Sequence, residues 1–578
     1  MENPGQTPLQ KFSQVFSGRD AVRYWRSPLV LLSLATILAL FLFLNKAFHI
    51  DDPLFIWTAQ HIRQNPINFY DFDVNWYGNK MRASEVIKNP PIASYYIALV
   101  TSVVGWGEHG LHLAFLVPAI AAILGCYVLA RYYCTRPALA ALGVLFTPAF
   151  LVSSSTIMCD TMMLAFWVWA LVFWQKGIHS DRFGFLLLAG LLAGICALTK
   201  YFGVCLLPLM LVDGILKKRT IGLWVAALFV PVAFVGGYEW HSRVLYGHGL
   251  FFDAAGYATE FGRSNLLIYA LIGLAFTGGC ILTPICYSHL IYNRWTIGAG
   301  LVAGTVLAFL LVKAPPLRLT REISSDNLSL AATQLAAFAI VGVGALSLCA
   351  IDLWQKRDAN SVVLFLWVVG TFVFAAFLNW TTNARSVLPM VPAVSFLLMR
   401  RIDSRFGPAS RHFEPRLFWL LLPAAAAAFF VTHADAWLAN SARSAAYLLH
   451  EKTKKDFAKV WFEGHWGFQY YMELLGATPL DMKSSMLYTG EQLVVPSNSP
   501  NVASFSKDVS LQTVLQTTPR TFVTTMDRAV GAGFYASAWG PLPFAFGQPR
   551  PERYELFTVT RGIRFVPSKH RKPTGERE

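Results

Sequence analysis

Long apolar runs alternate with short polar and basic segments between residues 28 and 433. A helix needs roughly 17–25 apolar residues to cross a membrane, and on that criterion we expect about 13 transmembrane helices. The predicted spans cover residues 28–48, 111–131, 138–153, 161–175, 183–198, 201–215, 221–240, 266–291, 295–312, 328–351, 361–380, 385–400 and 416–433.

The two ends of the chain differ from this central part. Residues 1–27 are polar and basic, and no small-residue cleavage site follows the run 28–48. We therefore expect an uncleaved first span rather than a signal peptide. Residues 434–578 mix short helical and strand-like runs over the length of an ordinary domain. The predicted fold class is a polytopic all-α membrane protein with a C-terminal α/β domain.

One apolar stretch, residues 92–106, either crosses the membrane or lies along its surface as an interfacial helix. Lys and Arg concentrate in cytoplasmic loops. The later basic clusters lie on the same side of the membrane as the N-terminus only if residues 92–106 do not cross the membrane. We therefore expect a multi-pass protein of the plasma or inner membrane, with segment 1–27 in the cytoplasm. Residues 49–110 then form the first external loop, and residues 434–578 form an extracytoplasmic domain.

The composition agrees with this class and argues against others. Hydrophobic residues make up 55% of the chain and charged residues only 14%, whereas soluble proteins carry roughly 25% charged residues. The net charge of +15 is explained by cytoplasmic loops rather than by a nucleic-acid surface, so no nucleic-acid partner is expected. The eight cysteines all lie in the apolar part and include no CxxC pair, so we expect no disulfide framework in the C-terminal domain.

Acidic residues occur at two places near the predicted outer surface. Asp51 and Asp52 follow the first span directly, and two adjacent carboxylates repel each other, which raises the pKa of one of them. Such a pair can act as a general base or hold a cation, or it can simply end a helix at the interface. Asp160 begins an apolar span, where capping of the helix dipole is a sufficient alternative explanation.

Two cations are predicted at the same outer level. Lys200 lies between two apolar runs with no other charge nearby, and Arg385 begins a late span. Ionisable groups in such surroundings are functional candidates. Each residue alone has a structural explanation, but acids and cations at one level suit a donor with an anionic leaving group.

The tripeptide Asn89-Pro90-Pro91 opens the helix predicted over residues 92–106, since proline fits the first turn of a helix. Aromatic residues precede this motif, and Tyr95 follows it. Aromatic rings suit stacking on sugars and anchoring at the interface equally well. We expect Asn89 and Tyr95 to contribute to substrate binding.

The order of these motifs resembles the GT-C glycosyltransferases that use lipid-linked sugars, in the branch of protein O-mannosyltransferases and lipid A aminoarabinose transferases. The resemblance covers residues 28–215 well and residues 361–400 moderately. The pieces that carry it are Asp51-Asp52, WTAQHI, NPPIASYYIAL, Asp160 before its span, ALTKYFGVCLLPLML and ARSVLPMVPAVSFLL.

This resemblance implies an inverting sugar transfer from a polyprenyl-phosphate donor on the outer face of the membrane. The acceptor would be a lipid, a glycan or a protein. Asp51 would be the leading general base with Asp52 beside it, and Asp160 would be the second acid. Lys200 and Arg385 would hold the leaving phosphate.

The chain departs from the family at the residues before the proline pair. Family members often carry His or Lys immediately before the prolines, sometimes after an acid, and some have a metal there. Here Lys88 and Asn89 occupy these positions without a carboxylate, so the need for a divalent metal stays open. Glu239, His241 and His248 are the alternative candidate ligands.

Three other functions remain open at the level of sequence. A GT-C-like ligase would transfer a whole glycan from an oligosaccharide-lipid donor. A transporter or flippase would be expected to show inverted repeats, and the sequence has no convincing internal repeat. A non-catalytic scaffold for the external domain would leave the charges at the membrane edge unexplained.

Overall fold

The computed structural model describes residues 27–218, 220–260, 265–314, 322–409, 414–453, 459–500, 502 and 508–565. The expected cytoplasmic segment 1–27 thus lies outside the described residues, apart from Ser27. The described chain is mostly helical up to Lys452, and most of its strands follow Val460. The predicted fold class, a polytopic helical membrane protein with a strand-containing C-terminal part, is confirmed.

The first half of the chain forms two short strands, Asp73–Asn75 and Lys80–Arg82, and a series of helices. The helices are Pro28–Phe41, Asp52–Gln64, Ala83–Val86, Ile92–Val104, Glu108–Ala130, Pro137–Leu145, Pro148–Ser154, Cys159–Ser180, Phe183–Thr199, Tyr201–Cys205 (a 3-10 helix), Leu206–Lys218, Leu223–Tyr246 and Leu250–Glu260.

The second half of the helical part contains further long helices joined by short ones. They are Leu266–Cys280, Thr283–Cys286, Ser288–Ile291, Arg294–Lys313, Ser325–Lys356, Ala359–Val373, Phe374–Leu378 (a π-helix), Ala384–Val387, Leu388–Met390 (3-10), Val391–Phe406, Pro415–Trp419 and Leu422–Lys452.

Within the described residues, seven helices are long and apolar enough to cross a membrane, and a bent pair raises this number to eight. Four shorter apolar helices accompany them: Pro28–Phe41, Ile92–Val104, Phe183–Thr199 and Leu266–Cys280. The exact number of spans, about 13 on the length criterion, stays a prediction. The helix Ile92–Val104 has 13 residues, so at about 1.5 Å per residue it is too short to cross the membrane upright.

The predicted span 138–153 is a broken helix whose two halves, Pro137–Leu145 and Pro148–Ser154, meet at 64°. Pro148 causes the break, because proline disfavours the helical conformation of the residue before it. Thr147 caps the second half by accepting a hydrogen bond from the Phe150 backbone N–H at 3.3 Å. At the end of the second half, Ser154 Oγ lies 3.1 Å from Thr161 Oγ1 of the helix Cys159–Ser180.

The C-terminal part contains a five-stranded mixed sheet. Its strand order is Thr478–Pro479, Val460–Phe462, Gln492–Pro496, Glu552–Val559 and Val509–Thr517. The first three strands are parallel to one another. The strand Glu552–Val559 is antiparallel to both of its neighbours, and its pairing with Val509–Thr517 contains a register shift between Leu556 and Phe557. The remaining short strands are Met486–Leu487, Val523–Thr524, Met526–Asp527, Ala532–Gly533, Ala545–Phe546 and Ile563–Arg564, with a 3-10 turn at Arg528–Val530.

The helix Leu422–Lys452 runs through the expected domain boundary at residue 434, so the strand-containing part begins at Val460. The helix Trp466–Leu474 covers the sheet, and the ring centroids of Phe468 and Tyr554 lie 4.9 Å apart. A single hydrophobic core includes Trp167 of the helical part and Phe534 of the C-terminal part. The two parts are therefore packed together over a shared apolar interior.

Candidate active site

An ion pair joins the first external loop to the start of a late helix. Arg385 Nη1 donates a hydrogen bond to Asp51 Oδ2 at 2.9 Å. Arg385 lies in the short helix Ala384–Val387, which Asn383 caps by accepting from the Ser386 backbone N–H. Because arginine keeps its proton throughout the physiological pH range, the guanidinium is a permanent cation at this position.

A second ion pair adjoins the first. Lys200 follows the helix Phe183–Thr199 with extended backbone, and its ammonium donates a hydrogen bond to Asp160 Oδ1. Asp160 lies in the first turn of the helix Cys159–Ser180, and its side chain is only 1% exposed. Its second oxygen lies 4.0 Å from Arg385 Nη1. The charges thus alternate in the order Lys200, Asp160, Arg385, Asp51.

Two polar atoms in this row of four charges are buried without a hydrogen-bond partner among the described residues. They are Asp160 Oδ2 and Arg385 Nε. Buried polar groups in folded proteins are nearly always hydrogen-bonded, and each exception calls for an explanation such as a catalytic role. An acceptor and a donor are therefore available where the two ion pairs meet.

Asp51 and Asp52 have different environments although they are adjacent. Asp51 remains 24% exposed, whereas Asp52 is fully buried and accepts hydrogen bonds from the backbone N–H groups of His49 at 2.9 Å and Ile157 at 3.1 Å. Burial raises the pKa of Asp52 from 3.8 to about 7, and repulsion by Asp51 is only the smallest contribution. Asp52 therefore holds the loop against the turn before Asp160, and Asp51 is the more exposed of the two carboxylates.

The structure brings Asn89 beside this group of charges. The Cys159 thiol lies 3.7 Å from Asn89 Oδ1, and the Asn89 carbonyl accepts a hydrogen bond from the Tyr70 hydroxyl at 2.6 Å. Tyr95 instead donates its hydroxyl to the Pro66 carbonyl and packs its ring near Phe69. Tyr95 is thus placed in an aromatic cluster rather than against the carboxylates.

Two residues that the sequence pattern did not assign to the site lie near these groups. Lys88 forms an ion pair with Asp253 of the helix Leu250–Glu260, and its ammonium lies 5.8 Å from the ring of Tyr257. Tyr77 is 38% exposed and is hydrogen-bonded to Tyr257, and Asp51 is among the charges that act on it. Lys88 is the charged residue directly before Asn89, and Tyr77 is one of the aromatic residues that precede the Asn-Pro-Pro motif.

A buried ion pair involves Lys46, which precedes Asp51 by five residues. Lys46 Nζ donates a hydrogen bond to Asp435 Oδ2 at 2.6 Å, and both side chains are completely buried. Lys46 and Asp435 each lie as a single charge at the end of an apolar run, and this pattern marks functional candidates in membrane proteins. Asp435 falls in the predicted C-terminal domain 434–578, and the sequence pattern predicts no role for Lys46.

Residues 88–238 match the sequence model of the family described as dolichyl-phosphate-mannose-protein mannosyltransferase. This part of the chain resembles that family. The resemblance expected from the motifs is thereby confirmed, and the matched stretch contains Asn89, Tyr95, Asp160 and Lys200. Asp51, Asp52 and Arg385 lie outside it. No curated protein matches the sequence.

Two kinds of solved structure are similar to this chain. One is the oligosaccharyltransferase of Archaeoglobus fulgidus tethered to an acceptor peptide, with 13% sequence identity and a TM-score of 0.46. The alignment includes 79% of this chain and 64% of that enzyme. This chain therefore spans less than two thirds of that enzyme. ArnT from Cupriavidus metallidurans, bound to undecaprenyl phosphate, is 13% identical with a TM-score of 0.39, and 81% of this chain covers 93% of it.

The candidate metal ligands are engaged in other contacts. Glu239 accepts hydrogen bonds from Arg243 Nε and from the Phe251 backbone N–H, both at 3.1 Å. His241 and His248 bond to backbone carbonyls. Within the described ranges, no group of three or more His, Cys, Asp or Glu residues is placed to hold a metal ion.

Proposed function

We propose that this protein is a membrane glycosyltransferase that moves a sugar from a polyprenyl-phosphate donor to an acceptor on the outer face of the membrane. The observation that carries the proposal is the row of alternating charges Lys200, Asp160, Arg385 and Asp51. Its last member is an accessible carboxylate. The family match over residues 88–238 supports the same class of reaction.

In the proposed reaction Asp51 is the general base. Its carboxylate accepts the proton of an acceptor hydroxyl while the hydroxyl oxygen bonds to C1 of the sugar. The bond between C1 and the phosphate oxygen breaks, and its electron pair leaves with the polyprenyl phosphate. A single displacement of this kind inverts the configuration at C1, and no covalent enzyme intermediate forms.

The ion pairs explain how the charge stays balanced during this step. Asp51 loses its negative charge when it takes the proton, so its partner Arg385 is released to face the phosphate. The phosphate gains one negative charge at the same moment, as the C1–O bond breaks. Lys200, held by the buried Asp160, supplies a second cation at the same place. Fixed charges aimed at developing charge are the largest contribution to many enzymatic rate enhancements.

We also propose that the charge row lies outside the cell and that the N-terminus lies inside. Asp160 is at the start of the helix Cys159–Ser180, and Lys176 is near its end. Arg385 likewise precedes the helix Val391–Phe406, whose last turns carry Arg400 and Arg405. The basic residues thus lie at the far ends of helices that begin at the site, as expected for cytoplasmic ends.

The proposed function is tested with the purified protein in lipid nanodiscs. We expect release of polyprenyl phosphate from a monosaccharide-phosphate lipid and no turnover of an oligosaccharide-pyrophosphate lipid. The reverse preference would indicate a glycan ligase, and movement of the donor lipid between leaflets without bond cleavage would indicate a flippase. Mass spectrometry of envelope glycans and lipids with and without the protein would identify both the sugar and the acceptor.

A further inference from the structure

The strand-containing part that begins at Val460, here called the C-terminal domain, is hydrogen-bonded directly to the turn that carries Arg385. The Ala384 backbone N–H donates to the Phe534 carbonyl at 2.9 Å, and the Ser537 N–H donates to the Thr382 carbonyl at 2.8 Å. The hydroxyls of Thr381 and Ser537 lie 3.0 Å apart. The next residue is Arg385, which is paired with Asp51, the proposed catalytic carboxylate. The position of Arg385 is therefore coupled to a loop of the C-terminal domain.

Tyr535, in the middle of this loop, contacts both sides of the site. Its ring centroid lies 5.5 Å from the guanidinium carbon of Arg385, a distance at which a cation is attracted to an aromatic face. The same ring meets His49 edge-on at 5.7 Å. Since His49 is two residues before Asp51, one buried side chain touches the segments that carry both members of the ion pair.

The hydroxyl of Tyr535 is fixed by a buried polar network. It donates to Asp435 Oδ2 at 2.8 Å, and the Thr525 hydroxyl donates to Asp435 Oδ1 at 2.8 Å. Asp435 also accepts from Lys46 Nζ, which reaches Ser155 Oγ at 3.2 Å. The network thus joins the C-terminal domain to the segment before Asp51 and to the end of the broken helix.

The helix Trp466–Leu474 holds the same segment from a second direction. The Phe48 backbone N–H donates to the Tyr471 hydroxyl at 2.8 Å. A Cβ at Gly467 would lie 2.0 Å from the Phe48 carbonyl oxygen, so this contact between backbones requires glycine. Segment 46–49 is therefore packed tightly against the C-terminal domain.

We infer that the C-terminal domain is a positioning part of the active site and that Tyr535 sets the placement of Arg385 relative to Asp51. Tyr535 is a positioning residue, because it acts through Arg385 and the 46–49 segment and not on the substrate. The inference rests on the proposed function. A misplacement of about 1 Å can reduce a reaction rate roughly 100-fold, so a residue of this kind is expected to affect catalysis strongly.

Substitutions of Tyr535 test the inference against a matched control. Tyr535→Leu removes both the ring and the hydroxyl, whereas Tyr535→Phe keeps the ring near Arg385 and loses only the bond to Asp435. Tyr287 is the control, because it is also buried and donates to the Leu417 carbonyl at 2.6 Å. The Ile291 carbonyl, four residues further on, accepts from Arg401 Nε near the far end of the helix Val391–Phe406. Tyr287→Leu and Tyr287→Phe remove the same groups away from the site.

The readouts are the kinetics of sugar transfer and hydrogen–deuterium exchange of peptides covering residues 46–52 and 381–387. For Tyr535→Leu we expect kcat to fall roughly 100-fold, a small change in the donor KM, and faster exchange in both peptides. For Tyr535→Phe we expect faster exchange mainly in peptide 46–52 and a fall in kcat of less than roughly tenfold. The Tyr287 variants should match the wild type in both readouts.

Unchanged exchange in both peptides of Tyr535→Leu would overturn the inference, as would wild-type kcat. If Tyr535→Leu does not fold, wild-type exchange and kcat in Tyr535→Phe would overturn it equally. If the wild-type protein shows no transfer activity, the proposed function is refuted. Hydrogen–deuterium exchange does not depend on the reaction, so the exchange data would still show whether Tyr535 is coupled to the two segments. Equal effects of the Tyr287 and Tyr535 variants would also overturn the inference.

Discussion

Arg385 donates a 2.9 Å hydrogen bond to Asp51, although 334 positions separate the two residues in the chain. Each lies next to a different helix end, and the C-terminal domain touches the segments that carry both. The pair is the centre of the proposed site, because one member can accept a proton and the other can then face the leaving phosphate.

The pair of Lys200 and Asp160 is expected to contribute to stability as well as to catalysis. Lys200→Met leaves the buried Asp160 carboxylate with only the more distant Arg385, and breaking a buried ion pair on one side costs about 3–5 kcal/mol. Thermal unfolding in detergent should show this loss. The double variant Asp160→Asn/Lys200→Met should recover much of the stability and remain deficient in transfer. Equal stability of the single and double variants would contradict this account.

The Lys46–Asp435 pair predicts a strong energetic coupling. In a double-mutant cycle with Lys46→Met and Asp435→Asn, the coupling should reach about 1–3 kcal/mol, since contacting groups in one network are not additive. The surface pair of Lys80 and Asp73, at 3.4 Å, is the control, and exposed pairs give at most about 1 kcal/mol. Denaturant unfolding measures both cycles. A Lys46–Asp435 coupling no larger than that of the control would refute this prediction.

Burial of Asp52 predicts a particular pH dependence of stability. The pKa of Asp52 is 3.8 in its ordinary state and about 7 in the fold, with Lys46 and Asp51 as the neighbouring charges that modify the effect of burial. The folded protein therefore binds more protons between these values, and the contribution of Asp52 to stability is lost as the pH rises through them. Asp52→Asn should remove this component of the slope, measured as the free energy of unfolding against pH.

The control for that experiment is Asp71→Asn, which removes a carboxylate whose side chain is 50% exposed. A slope of Asp52→Asn identical to that of the wild type would contradict the raised pKa.

Thiol labelling tests the proposed topology. In a variant without the eight native cysteines, Lys80→Cys lies in the first external loop, and Asp181→Cys lies between two helices at the basic end. The native side chains at these positions are 67% and 80% exposed. A membrane-impermeant maleimide applied to intact cells should label position 80 and leave position 181 unlabelled until the membrane is opened. The opposite pattern would invert the topology.

The sequence was sufficient to find the residues of the charge row because charges are rare in its apolar surroundings. Asp160, Lys200 and Arg385 each begin or interrupt an apolar run, and the positive-inside rule placed them on the same side as Asp51. The structure brings these four together. The break before Pro148 follows from proline chemistry, and Gly278-Gly279 and Pro284 flank the point at which the helix within the run 266–291 ends. Apolarity alone nevertheless predicts one continuous span over each of these runs.

Other features depended on contacts between distant parts of the chain. The sequence does not show that Asp52 turns inward to the backbone of Ile157 while Asp51 stays accessible, because this depends on where helix Asp52–Gln64 begins. Lys46 and Asp435 are 389 positions apart, and Tyr535 lies in a tail whose local pattern indicates only short strands. The role of the C-terminal domain therefore became apparent only from the folded arrangement.

Asp51→Asn provides the most direct test of the central claim, that Asp51 is the base of a sugar-transfer site. The asparagine side chain keeps the shape of the carboxylate and can still accept a hydrogen bond from Arg385, but it cannot take up the proton of the acceptor. We expect kcat for release of polyprenyl phosphate to fall by roughly 10²–10⁴-fold, with donor binding retained and with wild-type turnover in Asp71→Asn. Wild-type turnover by Asp51→Asn would contradict the account.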